Sequence, residues 1–158
     1  MSARLLVIED GSEYAEFARV FLGEELVVEE AHSAAEAAAR LAAGDVALLL
    51  IDLRFERAPA EALVGDLAAT AARLFDGDEA RALRYLQDQQ GTLILEALRR
   101  AGHRQPALFV HDFPPRRLAN LRALYGDVSA VPSFDAAAIR AALRAALARA
   151  AAQGAPPR

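Results

Sequence analysis

Leu5-Leu6-Val7-Ile8-Glu9-Asp10 is a run of four apolar residues closed by two acidic ones, near the start of a chain of 158 residues. A second run of the same kind, 46–51, is closed by Asp52. Continuous rather than alternating apolarity is typical of strands that are covered on both faces, as in a parallel sheet. The two runs therefore predict buried strands that carry carboxylates to the edge where such sheets bind ligands.

The rest of the chain repeats this alternation of strand and helix. Shorter apolar segments at 26–28, 107–110 and 128–131 predict three more strands. Between and after them, apolar residues recur at helical spacing on single faces: Tyr14, Phe17, Ala18, Phe21 and Leu22; Leu118, Leu121, Leu124 and Tyr125; Ile139, Leu143 and Leu147. Ser12 is expected to cap the first helix, and Ser33 with Glu36 forms a capping box for the second. Five alternations predict a parallel sheet with helices on both sides and right-handed crossovers.

One segment interrupts the rhythm, because about thirty extra residues, 54–90, follow the third strand. Its pattern is helical, with an apolar stripe, a turn and the start of another stripe: Leu63, Leu67, Ala71 and Leu74; Phe75 to Asp78; Ala82, Tyr85 and Leu86. We interpret it as a helical insertion in a single domain of residues 1–152, followed by a flexible tail, 153–158. The insertion either acts as a lid or docking element near the acidic residues or completes a local core.

Composition excludes several classes of protein. There is no cysteine, hence no disulfide and no Cys-ligated metal, and no apolar run is long enough to span a membrane. Lacking a signal-peptide pattern, the protein is expected in the cytoplasm. The net charge of −4 hides an acidic first part and an arginine-rich last part, but with little interleaved aromatic surface this pattern does not favour nucleic-acid binding. The chain has no lysine.

The acidic residues at the strand ends suggest a chemistry. If the strand order is 2-1-3-4-5, Glu9, Asp10 and Asp52 converge, and three close carboxylates repel one another unless they are protonated, paired or metal-bound. Mg²⁺ suits such oxygen ligands, and Asp52 could then attack phosphorus as a nucleophile. Solvated acids at strand ends are the alternative.

These two acidic runs resemble the first and third strands of the receiver domain of bacterial response regulators. Gln90-Gly91 with 95–102 is similar to the third helix of that family, and 106–126 to its fourth strand and helix. The resemblance implies a flavodoxin-like (βα)5 three-layer sandwich with sheet order 2-1-3-4-5 and a helical insertion between the third strand and third helix. It also implies that Asp52 is the phosphoacceptor, and that Mg²⁺ is bound by Glu9, Asp10, Asp52 and the Arg54 backbone carbonyl.

The chain departs from the family pattern at its switch residues. His111 stands where the fourth strand of a receiver ends in Thr or Ser, so the hydroxyl that bonds the phosphoryl group is absent. The Lys-Pro at the end of the fifth strand is also missing, since the region reads Ala130-Val131-Pro132-Ser133. His111 could supply part of the missing positive charge when protonated, or could be a neutral residue at a strand end.

The resemblance implies a stand-alone receiver-like signalling module of a two-component or related pathway, and not an enzyme. Two modes stay open: Mg²⁺-dependent phosphorylation of Asp52, or a phosphorylation-independent pseudo-receiver scaffold. A histidine kinase or a downstream signalling protein is the expected partner, and a homodimer could form through the last two helices, which carry several arginines: Arg116, Arg117, Arg122, Arg140, Arg144 and Arg149. A Mg²⁺-dependent phosphatase with an Asp nucleophile is a weaker alternative, because no second acid follows Asp52 at the spacing those enzymes use.

Overall fold

The sheet has the predicted order. The computed structural model describes residues 2–132 and 134–154, and within these ranges five parallel strands are arranged β2-β1-β3-β4-β5. The strands are β1 (Ala3–Ile8), β2 (Leu26–Ala31), β3 (Val46–Ile51), β4 (Ala107–Val110) and β5 (Val128–Val131). All five apolar segments therefore form strands, and the prediction of a parallel α/β sheet is confirmed.

Helices connect the strands and extend the insertion. They are α1 (Glu13–Leu22), α2 (Ala34–Ala42), α3 (Leu67–Leu74), α4 (Glu79–Asp88), α5 (Gln90–Arg100), α6 (Pro115–Tyr125) and α7 (Ala136–Gly154), with a short 3₁₀ turn at Ala60–Ala62. The expected tail falls mostly outside the described residues, because α7 continues to Gly154 and residues 155–158 are not described. Among the residues that are described, no helix is both long and apolar enough to cross a membrane.

Both faces of the sheet are buried, which explains the continuous apolar runs. Leu5 and Val7 pack in a cluster with α1 and α7, whereas Leu6 and Ile8 pack in a cluster with α2, α5 and the insertion. Successive side chains of a strand point to opposite faces, so a strand with helices on both sides has no polar face. The same alternation holds in β3, where residues 48 and 50 face one cluster and residues 49 and 51 the other.

The predicted helix faces are confirmed only in part. In α1, Tyr14, Ala18 and Leu22 are buried, but Phe21 is 48% exposed. In α6, Leu121 is buried whereas Leu124 is 70% exposed. These two errors have one cause, since the helical spacing marks a stripe that is wider than the strip of helix that contacts the sheet.

The insertion is part of the domain core and not only a lid. Leu63 and Leu86 are buried in the cluster that contains α2 and α5, although Leu74 at the end of the predicted stripe is 47% exposed. The predicted turn is present at 75–78, where the Asp78 N–H donates to the Phe75 carbonyl at 2.9 Å, and Asp78 then caps α4. Helices α3 and α4, on either side of this turn, pack against each other.

Gln90 attaches the insertion to the domain. Its side chain is fully buried, and its amide oxygen accepts from the Val64 N–H at 2.7 Å. Its amide nitrogen donates to the carbonyls of Val64 at 3.2 Å and Leu86 at 3.1 Å. One buried amide thus satisfies backbone groups from two separate parts of the insertion, and groups of this kind are costly to leave without a partner.

Replacing this amide should loosen the insertion. We expect Gln90→Leu, which keeps the volume but removes the hydrogen bonds, to lower the free energy of unfolding by about 2–3 kcal/mol, because the Val64 backbone groups lose their partner. Urea denaturation followed by circular dichroism measures the change. Gln89→Leu is the matched control, since the neighbouring Gln89 side chain lies at a partly exposed position against Arg117. Equal losses in the two variants would contradict a specific role for Gln90.

Candidate functional site

The register of the sheet brings the predicted acidic residues to one edge. In the β1–β3 pairing Ile8 stands opposite Ile51, and the Asp52 N–H donates to the Ile8 carbonyl at 3.0 Å. Asp10 and Asp52 therefore follow adjacent strands at the same edge of the sheet. They line an open cleft of about 210 Å³ together with Arg54, Glu56 and Arg57. The predicted convergence of Asp10 and Asp52 is present in the structure.

Glu9 is placed differently from the other two acids. Its side chain is buried, and its two carboxylate oxygens accept from the N–H groups of Tyr14 at 3.1 Å and Ala15 at 2.9 Å. It therefore caps the first turn of α1, the task expected of Ser12, whose side chain makes no capping hydrogen bond. Burial raises the pKa of Glu9 against the opposing effect of these two N–H donors. Its role as a metal ligand stays a prediction of the resemblance.

The surroundings of Asp52 disfavour its ionised form. Burial raises its pKa to about 7, and the charges of Asp10 and Glu9 act in the same direction. The backbone N–H groups of Arg54 and Leu53 oppose this shift but do not cancel it. A cation or a covalent modification would remove the unfavourable charge of a partly buried carboxylate that has this pKa and faces an open cleft.

The backbone beneath Asp52 packs tightly against α5. The Gly91 N–H donates to the Leu53 carbonyl at 2.8 Å. A Cβ atom at Gly91 would lie 2.4 Å from the Asp52 carbonyl oxygen, so only glycine fits there. This contact explains why Gln90-Gly91 opens the helix after the insertion, and it fixes the loop that leaves Asp52.

Arg57 is a site residue that the sequence reasoning missed. Its backbone N–H donates to Asp10 Oδ2 at 2.8 Å. Its guanidinium lies 3.6 Å from Asp10 Oδ1 and donates to Glu13 Oε1 at 2.8 Å. The signal in the sequence was weak. A chain without lysine must use arginine as its long-chain cation, and Arg54 and Arg57 are the arginines that follow Asp52 most closely.

His111 does not supply the missing charge in this structure. Burial lowers its pKa, and the charges of Arg54 and Arg117 lower it further, with only Asp112 acting in the other direction. Its ring contacts the edge of Phe113, with centroids 4.7 Å apart. His111 is not among the residues that line the cleft. The structure therefore favours the neutral alternative for this strand-end histidine.

The arginines of the last two helices are paired within the chain. Arg140 and Arg144 contact Glu25 at 3.2 and 3.0 Å, and Arg149 contacts Asp127 at 2.8 Å. In α6, Arg117 donates to Gln89 and Arg122 to the Val128 carbonyl. The ion pairs therefore reduce the positive charge of α7, whereas Arg117 and Arg122 have neutral partners, so α6 stays basic. A homodimer through them stays a prediction.

The donor set of the cleft fits a hydrated magnesium ion. Mg²⁺ in proteins is commonly held by one or two carboxylates and keeps several waters, and Asp10 and Asp52 provide two carboxylates on the same opening. In the described part of the chain no group of three or more His, Asp or Glu side chains is arranged to hold a metal. Glu9 accounts for this finding, because its oxygens are already used by the α1 backbone.

Comparisons with known proteins identify the fold. No model of a protein family matches the chain, and no curated protein matches its sequence. Solved structures of receiver domains do match. The receiver domain protein (CheY-like) from Methanospirillum hungatei JF-1 is 16% identical, with 98% of this chain and 100% of that one covered and a TM-score of 0.64. The signal receiver domain of an HD domain-containing protein from Pseudomonas fluorescens Pf-5 is 13% identical, with coverages of 96% and 91% and a TM-score of 0.64.

A sensor protein from Polaromonas sp. JS666 is similar at 19% identity, with coverages of 94% and 98% and a TM-score of 0.62. At these identities the likeness shows the fold. The chain therefore has the receiver fold of response regulators, with the five-stranded 2-1-3-4-5 sheet of the flavodoxin-like class. The insertion, α3 and α4, is accommodated within that fold.

The raised pKa of Asp52 predicts how stability depends on pH. Above the ordinary pKa of 3.8 the unfolded chain has lost this proton, whereas the folded protein keeps it up to about pH 7, so stability falls as pH rises through this window. Asp52→Asn removes the effect. In metal-free buffer, the free energy of unfolding of Asp52→Asn minus that of the wild type should increase by about 2–3 kcal/mol between pH 5 and pH 8.

Thermal or urea unfolding at several pH values in the presence of a chelator measures this difference. Asp45→Asn is the matched control, because Asp45 is exposed at the opposite end of β3 and asparagine tolerates its left-handed backbone. It measures how much of any difference follows from the loss of an exposed carboxylate alone. A constant difference for Asp52→Asn would show that the carboxylate is not destabilised by its site.

Proposed function

We propose that the protein is a receiver-like signalling module whose Asp52 accepts a phosphoryl group in a Mg²⁺-dependent reaction. The observation that carries the proposal is the state of Asp52 itself. It is a nucleophilic carboxylate at the end of a central strand, beside Asp10, open to a cleft, and ionised only at a cost. A bound divalent cation would offset the unfavourable charge of Asp52, and the bond to a phosphoryl group would remove that charge from its carboxylate.

Phosphoryl transfer to Asp52 requires this carboxylate and the groups that hold it in place. An oxygen of Asp52 forms a bond to phosphorus, the bond from phosphorus to the leaving group breaks, and the leaving group departs with that electron pair. When bound, Mg²⁺ supplies positive charge at the oxygens of the transferring group. The N–H groups of Leu53 and Arg54 hold the carboxylate in place. The product is an acyl phosphate on the protein, so the module is a switch and not a turnover enzyme.

An exposed apolar surface on α1 and after β5 supports a protein partner. Val20 and Phe21 on α1 are 75% and 48% exposed, and Phe134 after β5 is 53% exposed. Phe134 stacks on Tyr14 with ring centroids 4.7 Å apart, and Tyr14 in turn donates its N–H to Glu9. Contiguous exposed apolar side chains are typical of interaction surfaces. This surface is a candidate docking site for a histidine kinase or another phosphodonor protein.

A phosphorylation-independent scaffold is the second candidate, and two observations favour it. His111, which stands in place of the hydroxyl residue, has a pKa lowered by burial and does not line the cleft. The strand-end lysine has no counterpart in a chain without lysine. A protein of this kind would bind partners in one fixed state, and the apolar surface defined by Val20, Phe21 and Phe134 would serve it equally well.

Labelling with a small acyl phosphate or phosphoramidate separates the two candidates. We expect intact-mass analysis to show the addition of one phosphoryl group that requires Mg²⁺, because Asp52 is a nucleophile that lines the open cleft. Asp52→Asn should abolish it, and Asp45→Asn, which makes the same chemical change at a remote surface position, should not.

The opposite results are equally informative. Labelling that persists in Asp52→Asn would place the reaction elsewhere and overturn the assignment of Asp52. If the wild type is not labelled at any Mg²⁺ concentration, the scaffold candidate stands and the phosphorylation mechanism is excluded for these donors.

A further inference from the structure

The insertion contributes a cation to the acidic cleft. Arg57 contacts Asp10 twice, through its backbone N–H at 2.8 Å and through its guanidinium at 3.6 Å, and it also contacts Glu13 at 2.8 Å. These contacts join residues 44 and 47 positions apart in the chain. Both arginines that line the cleft, Arg54 and Arg57, thus come from the loop after β3 and not from the end of β5, and Arg57 is the one that contacts Asp10.

The two partners of this contact differ greatly in exposure. The Asp10 side chain is 7% exposed, whereas the Arg57 side chain is 62% exposed. The carboxylate is fixed in the protein, while the guanidinium lies over it from the solvent side. Exposed ion pairs contribute little stability, so the guanidinium can be displaced at low cost even though it neutralises a charge that is almost buried.

Gly11 provides the space in which the guanidinium lies. A Cβ atom at this position would be 2.4 Å from Nη2 of Arg57 and 2.2 Å from Oε2 of Glu13. Any side chain at position 11 would therefore push Arg57 and Glu13 away from their present contact. The backbone conformation of Gly11 is one that other residues adopt, since its φ is not in the left-handed region.

We propose that Arg57 is the resident counter-ion of the cleft, that it replaces the lysine missing from this chain, and that it competes with a divalent cation for Asp10. The proposal rests on the proposed function only in taking the cleft as a cation site. It does not require that Asp52 be phosphorylated. The Asp10 carboxylate would bind one of two alternative cations: the Arg57 guanidinium of the insertion or a metal ion from solution.

The competition predicts a change in metal affinity. Arg57→Gln removes the guanidinium but keeps the backbone N–H, so the apparent affinity for Mg²⁺ or Mn²⁺ should rise about three- to tenfold, as expected for the loss of one partly screened charge next to the ligand. Titration calorimetry, or the metal-dependent shift of the thermal midpoint, measures this without any phosphodonor. Arg57→Lys, which keeps the charge, should lie between the wild type and Arg57→Gln.

Two further variants make the test specific. Arg73→Gln is the matched control, because it removes the same charge from an exposed position on α3 of the same insertion and should leave the affinity unchanged. Gly11→Ala keeps the charge of Arg57, but its methyl group would occupy the space in which the guanidinium now lies. It should therefore raise the metal affinity, as Arg57→Gln does. Equal affinities in the wild type and Arg57→Gln, or no metal binding by either, would overturn the proposal.

A double-mutant cycle between Arg57→Gln and Asp10→Asn in metal-free buffer measures the pair directly. Their effects on stability should be non-additive and should become additive at high salt, because the contact is exposed on one side. Additive effects at low salt would overturn the role of Arg57 as counter-ion. Failure of the labelling experiment, in contrast, would leave both the cycle and the metal titration as expected, so the two proposals fail separately.

Discussion

Two carboxylates held side by side at the end of a buried sheet are the constraint on which the rest of this site depends. The pairing of β1 with β3 is fixed by apolar residues on both faces, and it brings Asp10 and Asp52 to one cleft although their like charges repel. The cost of this arrangement is visible in the high pKa of Asp52. At Glu9 the N–H groups of α1 offset part of the same cost, and Asp10 is contacted by Arg57.

The fold was predictable because its signal is local and repeated. A parallel strand covered by helices on both sides has to be apolar at each position, and short uninterrupted runs such as 5–8 and 46–51 are typical of strands in that environment. The acidic strand ends followed from the same reasoning, since parallel strands deliver their last residues to one edge. Resemblance to receiver domains then assigned roles to Asp10 and Asp52 that spacing alone would have left open.

What the sequence could not show are contacts between distant segments. Ser12 has the right residue type and place for a cap, but the α1 N–H groups are taken by Glu9 from the preceding strand. The arginines of α7 look like a basic face until Glu25, more than a hundred residues earlier, is placed beside them. Arg57 is the same kind of case, because an insertion has no fixed position relative to the sheet until it folds.

The attachment of the insertion through Gln90 has a consequence for how the segment that carries Arg57 can move. Its amide makes three hydrogen bonds, two of them to the donor and the acceptor of the single residue Val64. A planar amide cannot release one of these without misaligning the others, so the attachment is cooperative. Phe55 and Ala58, on either side of Arg57, are buried in the same core, so a cation at Asp10 would displace the Arg57 side chain and leave the backbone of the segment in place.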